Sequence, residues 1–245
     1  MSTDDAERVP GGGDVSTYAK APLVSRRGGW ISGLIAAAAA LLGALDAARA
    51  EPLRVIAFGD SLTAGYQLPA DAAFPAALER RLRQDGYEAK VLNAGVSGET
   101  TGGGLARIGY VLRGGGDLLI LELGANDNLR GLDPQGTRAN LEKIIAACDA
   151  ERVPVLLAGM ISIANYGEET KQAFDAIFPT LASERGLPYY PFFLEGVLGA
   201  EGMTLPDGLH PSRAGVERIV SGIAPLVEKS LDAIRAGRGS GGAAR

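Results

Sequence analysis

Short, uninterrupted apolar runs alternate with longer segments of helical periodicity, and this alternation constrains the fold more than any other feature of the chain. The apolar runs occupy residues 53–58, 90–94, 117–123, 154–159 and 188–193. Most are rich in Val, Ile and Leu and lack polar alternation, which is typical of strands buried on both faces of a parallel sheet. The pattern therefore predicts about five parallel strands.

Helices are predicted between and after these strands. They occupy residues 72–85, 101–112, 133–151, 168–185 and 212–234. Asp133 and Pro134 form a typical helix start, an N-cap followed by proline in the first turn, while Gly86 and Gly186 are typical helix stops. Strands that alternate with helices favour right-handed crossovers and an α/β fold with a doubly wound sheet.

Residues 1–50 are predicted to be a signal peptide with an N-terminal extension. Arg26 and Arg27 precede an apolar stretch at 30–45, and Ala48-Arg49-Ala50 supplies small residues for cleavage before Glu51. The apolar stretch is about five residues short of the roughly 20 that span a bilayer comfortably. This length favours export to the periplasm or outside the cell over the alternative, an uncleaved membrane anchor.

The rest of the chain is expected to form one domain at 51–235, without stable membrane insertion after cleavage. Residues 236–245 consist only of Gly, Ser, Ala and Arg, and are expected to be a disordered tail. The formal net charge is −5 and no basic run is present, which argues against nucleic acid as a partner.

Metal and nucleotide cofactors are not expected. The chain has one histidine and one cysteine, which cannot form a typical zinc site, and it has no Walker loop or clear dinucleotide fingerprint. The cysteine, Cys148, lies at helical spacing from Ile144 and Ile145, so it is predicted to pack in the core.

Polar clusters follow the first three predicted strands. Ser61 follows the first, residues 93–98 follow the second, and Gly124-Ala125-Asn126-Asp127 follows the third. Each cluster alone could be turn chemistry, because Gly, Asn, Asp and Ser are common in turns. Ligands of open parallel sheets bind beyond the carboxyl ends of the strands, so the shared location predicts one site at this edge.

His210 is the only histidine of the chain. A serine nucleophile needs an adjacent base to take its proton and a third group to orient that base. Any such serine here must use His210, and Asp207 is close enough in sequence to orient it. The alternative is an ordinary histidine in a polar turn before a helix that starts at Pro211. No Gly-x-Ser-x-Gly elbow is present.

The polar clusters together resemble a known family. The four segments are Gly59-Asp60-Ser61-Leu62, Gly98 within 93–99, Gly124-Ala125-Asn126-Asp127 and Asp207-Gly208-Leu209-His210. In this order they resemble the four blocks of the SGNH (GDSL) hydrolases. The similarity extends over about residues 53–231 and is to the bacterial acyl-CoA thioesterase, lysophospholipase and arylesterase branch. It implies a flavodoxin-like three-layer αβα fold and hydrolysis of esters or thioesters.

The resemblance implies a role for each matching residue. Ser61 matches the nucleophile, His210 the base and Asp207 the acid that orients it. The Ser61 backbone amide, Gly98 and the Asn126 side-chain amide match the donors of an oxyanion hole, where charge develops during acyl transfer. Asp60 and Asp127, which neighbour these residues, are expected to be structural and to hold loops by hydrogen bonds.

The substrate is expected to be a small ester or thioester, including lipid-derived ones, such as an aryl ester, an acyl-CoA or a lysophospholipid. The residues expected to line an acyl channel, with ordinary packing as the alternative, are Leu129, Leu132, Ile161 and Ile163. The segment 160–163 differs from the arginine- and proline-containing stretch of close relatives and is expected to contact the acyl groove.

Two other functions remain open at this point. A carbohydrate O-acetyl esterase could use the same three residues, although the chain after residue 50 contains no tryptophan for a glycan to stack on. A binding module for an acylated ligand could use the same crevice without turnover, although Ser61, Asp207 and His210 are all present.

Overall fold

The computed structural model describes residues 51–163 and 165–241, so the predicted signal peptide at 1–50 lies outside the described residues. One sheet of five parallel strands, in the order β2-β1-β3-β4-β5, forms the centre of the fold. The strands are β1 Leu53–Gly59, β2 Ala89–Gly95, β3 Leu118–Glu122, β4 Val155–Ala158 and β5 Tyr189–Tyr190. The predicted parallel sheet is therefore confirmed.

Helices cover the sheet and complete the α/β layers. They are α1 Ser61–Ala64, α2 Phe74–Gln84, α3 Thr101–Leu112, α4 Ala125–Leu129, α5 Pro134–Ala150, α6 Glu168–Asp175, α7 Ile177–Arg185 and α8 Arg213–Gly241, with a 3₁₀ turn at Ala70–Ala72. Helix α2 packs beside α8, and α3 packs beside α5. The Asp133 side chain accepts a hydrogen bond from Gln135 N, which confirms the predicted N-cap of α5.

The core lies between the sheet and these helices. Every residue of β3 and β4 is buried, as expected for strands covered on both faces. Cys148 is fully buried in the same core, and this burial raises the pKa of its thiol to about 12. The cysteine is therefore a packing residue, as predicted. Within the described ranges, no helix is long and apolar enough to cross a membrane.

Two predicted elements differ from the observed ones because of proline. The helix predicted over 168–185 is divided into α6 and α7. Pro179 cannot donate to the carbonyl of Asp175, the last residue of α6, and its ring crowds that carbonyl. The strand predicted over 188–193 is reduced to Tyr189–Tyr190 because Pro188 and Pro191 flank it.

The predicted disordered tail at 236–245 is corrected in part. Helix α8 continues to Gly241, so 236–241 are helical, while 242–245 lie outside the described residues. Arg238 forms an ion pair with Asp117, just before β3, and this contact stabilises the end of the helix against the sheet.

Candidate active site

The first and third strands end side by side, and this register builds the site. Gly59 of β1 is paired with Glu122 of β3 in the parallel ladder. Helix α1 begins at Ser61 just beyond β1, and α4 carries Asn126 just beyond β3. The chain leaves the sheet in opposite directions at these strands, and such a point opens a crevice in doubly wound folds.

Ser61, His210 and Asp207 form a continuous chain of hydrogen bonds. Ser61 Oγ lies 3.0 Å from His210 Nε2, and His210 Nδ1 lies 2.8 Å from Asp207 Oδ2. A carboxylate can only accept, so Nδ1 carries the proton and Nε2 of the neutral ring is free to accept from the serine. The three residues therefore have the geometry of a nucleophile, a base and an orienting acid.

Asp207 is held in its ionised form by the turn on which it lies. Its Oδ1 accepts hydrogen bonds from the backbone N–H groups of Leu209 at 2.9 Å and His210 at 3.0 Å. These two bonds, Leu209 first and His210 second, lower the pKa of Asp207 to about 2. The carboxylate is therefore charged at neutral pH, and it keeps the proton on His210 Nδ1.

Asp60 connects the nucleophile's turn to Asn126. Its Oδ1 caps α1 by accepting from Leu62 N at 2.9 Å, and its Oδ2 accepts from Asn126 Nδ2 at 2.9 Å. The expectation that Asp60 holds loops by hydrogen bonds is therefore confirmed. The sequence did not predict its contact with Asn126, the residue that matches an oxyanion donor. Asp127 contacts Thr101 and Thr137 in a separate buried cluster.

A second buried carboxyl, Glu122, lies beside Asp60. Glu122 Oε2 accepts from Asp60 N at 3.3 Å and from Thr63 Oγ1 at 2.6 Å. Burial, with the nearby Asp60 charge, raises the pKa of Glu122 well above its usual value and so favours its neutral form. Burial also raises the pKa of Asp60, to about 6, against the opposing hydrogen bonds from Leu62 and Asn126.

Gly98 lies on the loop after β2, which two arginines hold in place. Arg130 donates to the Gly98 carbonyl oxygen at 2.6 Å. Arg107 forms an ion pair with Glu99 and donates to the Ala94 carbonyl oxygen at 2.8 Å. Gly98 has a φ of +78°, a backbone conformation that other residues adopt only with strain.

Gly98 therefore lies on a braced loop at the edge of the same cavity as Ser61 and Asn126. This cavity has a volume of about 260 Å³. Its polar part includes Ser61, Gly98, Asn126 and His210. The apolar side chains that line the rest of it are Leu62, Leu129, Met160, Ile161, Ile163, Phe192, Leu194, Leu198 and Leu209. A mainly apolar cavity with a few convergent polar groups at one end is suited to an acyl group whose carbonyl lies at the serine.

Hydrogen bonds to α4 and α6 hold the segment 160–163 in the wall of the cavity. Asn128 donates from Nδ2 to Ser162 Oγ at 2.9 Å and accepts from Ile163 N at 3.1 Å. Ser162 N donates to Asp175 at 2.6 Å. These bonds place Ile161 and Ile163 at the cavity, as expected from the sequence.

Leu132 is the one predicted channel residue that lies elsewhere. It is 43% exposed and is absent from the cavity wall. The chain turns away at Gly131, which has a φ of +62°, so Leu132 leaves the cavity just before α5 begins.

Several cavity residues were not anticipated from the sequence. Tyr66 lies against the ring of His210, with centroids 4.3 Å apart. Phe192 also lies on the cavity wall, and its only sequence signal was its position near the end of a predicted strand. Met160 lies there too, within the segment that the sequence predicts to contact the acyl groove. In the part of the chain that the structure describes, no three His, Cys, Asp or Glu side chains are grouped to hold a metal ion.

Comparison with known proteins places the chain among acyl hydrolases. The model of the GDSL-like lipase/acylhydrolase family matches residues 57–218. Esterase TesA of Pseudomonas aeruginosa is 36% identical over 199 residues, which are 81% of this chain and 98% of that protein. The thioesterase 1/protease 1/lysophospholipase L1 of Escherichia coli K12 is 40% identical over 168 residues, 68% of this chain and 78% of that protein.

A solved structure extends the similarity to the fold. The crystal structure of AlinE4, an SGNH-hydrolase family esterase, is 43% identical and superposes with a TM-score of 0.63. The match covers 74% of this chain and 98% of that one. With the family match spanning well over half of its residues, this chain belongs to the GDSL-like lipase/acylhydrolase family.

Proposed function

We propose that this protein is a serine esterase that hydrolyses carboxylic esters and thioesters through an acyl-enzyme on Ser61. The observation that carries the proposal is the chain of hydrogen bonds from Ser61 through His210 to Asp207, which opens into a mainly apolar cavity. The names of the relatives, an esterase and a thioesterase/lysophospholipase, support the same reaction class.

The first half of the reaction acylates the serine. Ser61 Oγ attacks the substrate carbonyl carbon while His210 Nε2 takes the hydroxyl proton, because a serine hydroxyl is a weak nucleophile without a base. The carbonyl oxygen becomes negatively charged and is stabilised by the backbone N–H groups of Ser61 and Gly98 and by Asn126 Nδ2. Asp207 stabilises the imidazolium that forms and fixes the ring.

The second half releases both products. The tetrahedral intermediate collapses, the bond to the leaving alcohol or thiol breaks, and His210 gives its proton to that group. Water then attacks the acyl carbon while His210 takes its proton. The bond to Ser61 Oγ breaks, His210 returns the proton to that oxygen, and the carboxylic acid leaves. Because protein groups supply every proton transfer, this route needs neither a metal ion nor an organic cofactor.

The cavity favours a substrate with an apolar acyl group of more than two carbons. Its walls away from the serine are hydrophobic, and Ile161 and Ile163 at its edge are 44% and 42% exposed. Each methylene buried there contributes about 0.8 kcal/mol. A carbohydrate acetyl ester would leave most of this wall uncovered and would bring polar hydroxyls against it, so we place acyl-CoA, lysophospholipid and aryl esters ahead of it.

A substrate series tests the proposal. Purified protein is assayed with p-nitrophenyl esters from acetyl to palmitoyl, one acyl-CoA, one lysophospholipid and one O-acetylated sugar. We expect kcat/KM to rise with acyl length until the cavity is filled, and thioester hydrolysis by the same serine. Activity confined to the acetylated sugar would contradict the proposed substrate class, and no hydrolysis of any ester would contradict the reaction.

We further propose that the protein acts in the periplasm or outside the cell after cleavage before Glu51. The charge pattern and small residues at 26–50 support this proposal. Fractionation of producing cells with N-terminal sequencing of the mature protein tests it. A cytoplasmic protein that keeps residues 1–50 would contradict it.

A further inference from the structure

Asn126 and Asp60 share a hydrogen bond inside the site. Asn126 Nδ2 donates to Asp60 Oδ2 at 2.9 Å, although the two residues are 66 positions apart in sequence. Asp60 is fully buried, and its other carboxylate oxygen accepts from Leu62 N at 2.9 Å. Asp60 therefore contacts both the helix that carries Ser61 and the side chain proposed as an oxyanion donor.

A carboxylate imposes one orientation on the Asn126 amide. The two ends of a carboxamide have nearly the same shape, so packing alone selects weakly between them. An ionised carboxylate only accepts hydrogen bonds, so it must face the NH₂ end of the amide. One proton of that group is used by Asp60, and the other remains to serve the developing oxyanion.

We infer that Asp60 is a positioning residue of the oxyanion hole, which acts through Asn126 by fixing the amide with its NH₂ group toward the reaction. This inference goes beyond the proposed function, and it rests on the role proposed there for Asn126. Both carboxylate oxygens of Asp60 already accept hydrogen bonds, from Leu62 N and from Asn126 Nδ2, so Asp60 acts on the reaction through Asn126. Its contribution appears only when negative charge develops on the carbonyl oxygen, because that is when the donor is needed.

The surroundings of Asp60 favour a negative charge on its carboxylate. The charged or titratable groups that act on Asp60 are Glu122 from β3, Asp127 from α4 and His210 from the loop before α8. Glu122 has no direct charge partner, and its Oε1 makes no hydrogen bond with the described residues. Asp60 accepts a hydrogen bond on each of its oxygens, whereas both donors to Glu122 are on Oε2, so the negative charge is favoured on Asp60.

Asp60→Asn is the sharpest single variant because it keeps the shape while it replaces one acceptor oxygen by an NH₂ donor and removes the charge. An asparagine at this position can accept from Leu62 N or from Asn126 Nδ2, but its own NH₂ group then faces the other donor. We expect kcat to fall by about 10²–10³, the loss typical of one missing oxyanion donor, with KM changed by less than about threefold. We expect the melting temperature to stay the same or rise.

A double-mutant cycle separates this role from helix capping. We expect Asn126→Ala alone to lower kcat to a similar extent, and Asp60→Asn to add less than about threefold in the Asn126→Ala background, because the two act as one unit. If Asp60 acted only by capping the Ser61 helix through Leu62, its full loss would persist in that background. Such additivity would overturn the inference.

Asp133→Asn provides a matched control. Asp133 caps α5 by accepting from Gln135 N, just as Asp60 accepts from Leu62 N, but it contacts no residue of the site. We expect Asp133→Asn to leave kcat unchanged. If Asn126→Ala lowers kcat and Asp60→Asn does not, the inference alone fails. If Asn126→Ala has normal kcat while Ser61→Ala is inactive, the proposed role of Asn126 fails first.

Discussion

Tyr66 lies against the imidazole of His210, with ring centroids 4.3 Å apart and the ring planes tilted by 34°. The tyrosine follows α1, the short helix that begins with Ser61, and its backbone N–H donates to the Ser61 carbonyl oxygen at 3.1 Å. The turn that positions the nucleophile therefore also positions an aromatic face beside the base. Such a face attracts a cation, and His210 becomes a cation when it takes the serine proton.

Tyr66→Leu should lower kcat because the leucine cannot stabilise the imidazolium. The expected loss is about threefold to thirtyfold, equal to roughly 0.5–2 kcal/mol for a cation against an aromatic ring. Tyr66→Phe keeps the ring and should retain nearly full kcat. Steady-state kinetics on one p-nitrophenyl ester measures both variants, and equal losses in the two would assign the effect to the hydroxyl group instead.

Ile163→Ala should weaken the enzyme for long acyl substrates only. The side chain lines the cavity, so its removal leaves part of a long acyl chain exposed, at a cost of about 1–2 kcal/mol or fivefold to thirtyfold in kcat/KM. The acetyl ester should be hydrolysed at the original rate. Leu132→Ala is the matched control, since Leu132 is equally exposed but lies outside the cavity. A similar loss in Leu132→Ala would contradict the cavity wall described above.

Asp60→Asn should change stability with a definite pH dependence. The pKa of Asp60 rises from an ordinary 3.8 to about 6 on folding, because burial disfavours the charged form. The contribution of Asp60 to the free energy of unfolding is therefore fully present below 3.8, its pKa in the unfolded state. It is lost as the pH rises through 6, its pKa in the folded state.

The variant has no carboxyl group to ionise at this position. Its free energy of unfolding should therefore rise relative to that of the wild type between pH 4 and pH 7. The expected gain is about 2 kcal/mol, from roughly two pKa units less one lost hydrogen bond. Urea unfolding at a series of pH values measures it. A gain that is the same at every pH would contradict the assigned burial of a charged Asp60.

Asp207→Asn should lose most turnover while the protein remains folded. A neutral amide at this position no longer requires the proton on His210 Nδ1, and the comparable change in a serine protease triad costs about 10⁴ in kcat. Because the pKa of Asp207 is about 2, the wild-type carboxylate should stay ionised down to the lowest pH at which activity can be measured. Kinetics with a folding check by circular dichroism test this, and a variant with a tenth of normal kcat would remove Asp207 from the site.

The parallel sheet and the positions of its strands along the chain can be predicted from the sequence, because buried parallel strands need apolar residues at every position. This requirement makes β3 and β4 easy to identify as continuous apolar runs. Polar residues at the ends of such strands must then meet at one edge, which is why the sequence alone places Ser61 and Asn126 in one site. The sequence pattern predicts one helix over 168–185, although Pro179 within it indicates the break between α6 and α7.

The contacts that tune the site could not be obtained in this way. Asn126 meets Asp60 across 66 residues, and Tyr66 meets His210 across a longer separation, so neither pair leaves a local pattern. Leu132 was placed in the acyl channel because it is apolar and close to Leu129, but the turn at Gly131 directs the chain away. The direction of the chain at this turn depends on the positive φ of Gly131, and a pattern of hydrophobic residues does not predict that angle.

Labelling by a fluorophosphonate, read by mass spectrometry of the intact protein and its peptides, tests the central claim most directly. The reagent phosphonylates only an activated serine, so the wild type should gain one adduct, located on Ser61. The same adduct should be absent from Ser61→Ala, whose ester turnover should fall by about 10⁴–10⁶. An adduct on another residue, or a Ser61→Ala protein that keeps more than a tenth of its activity, would contradict the assignment of Ser61 as the nucleophile.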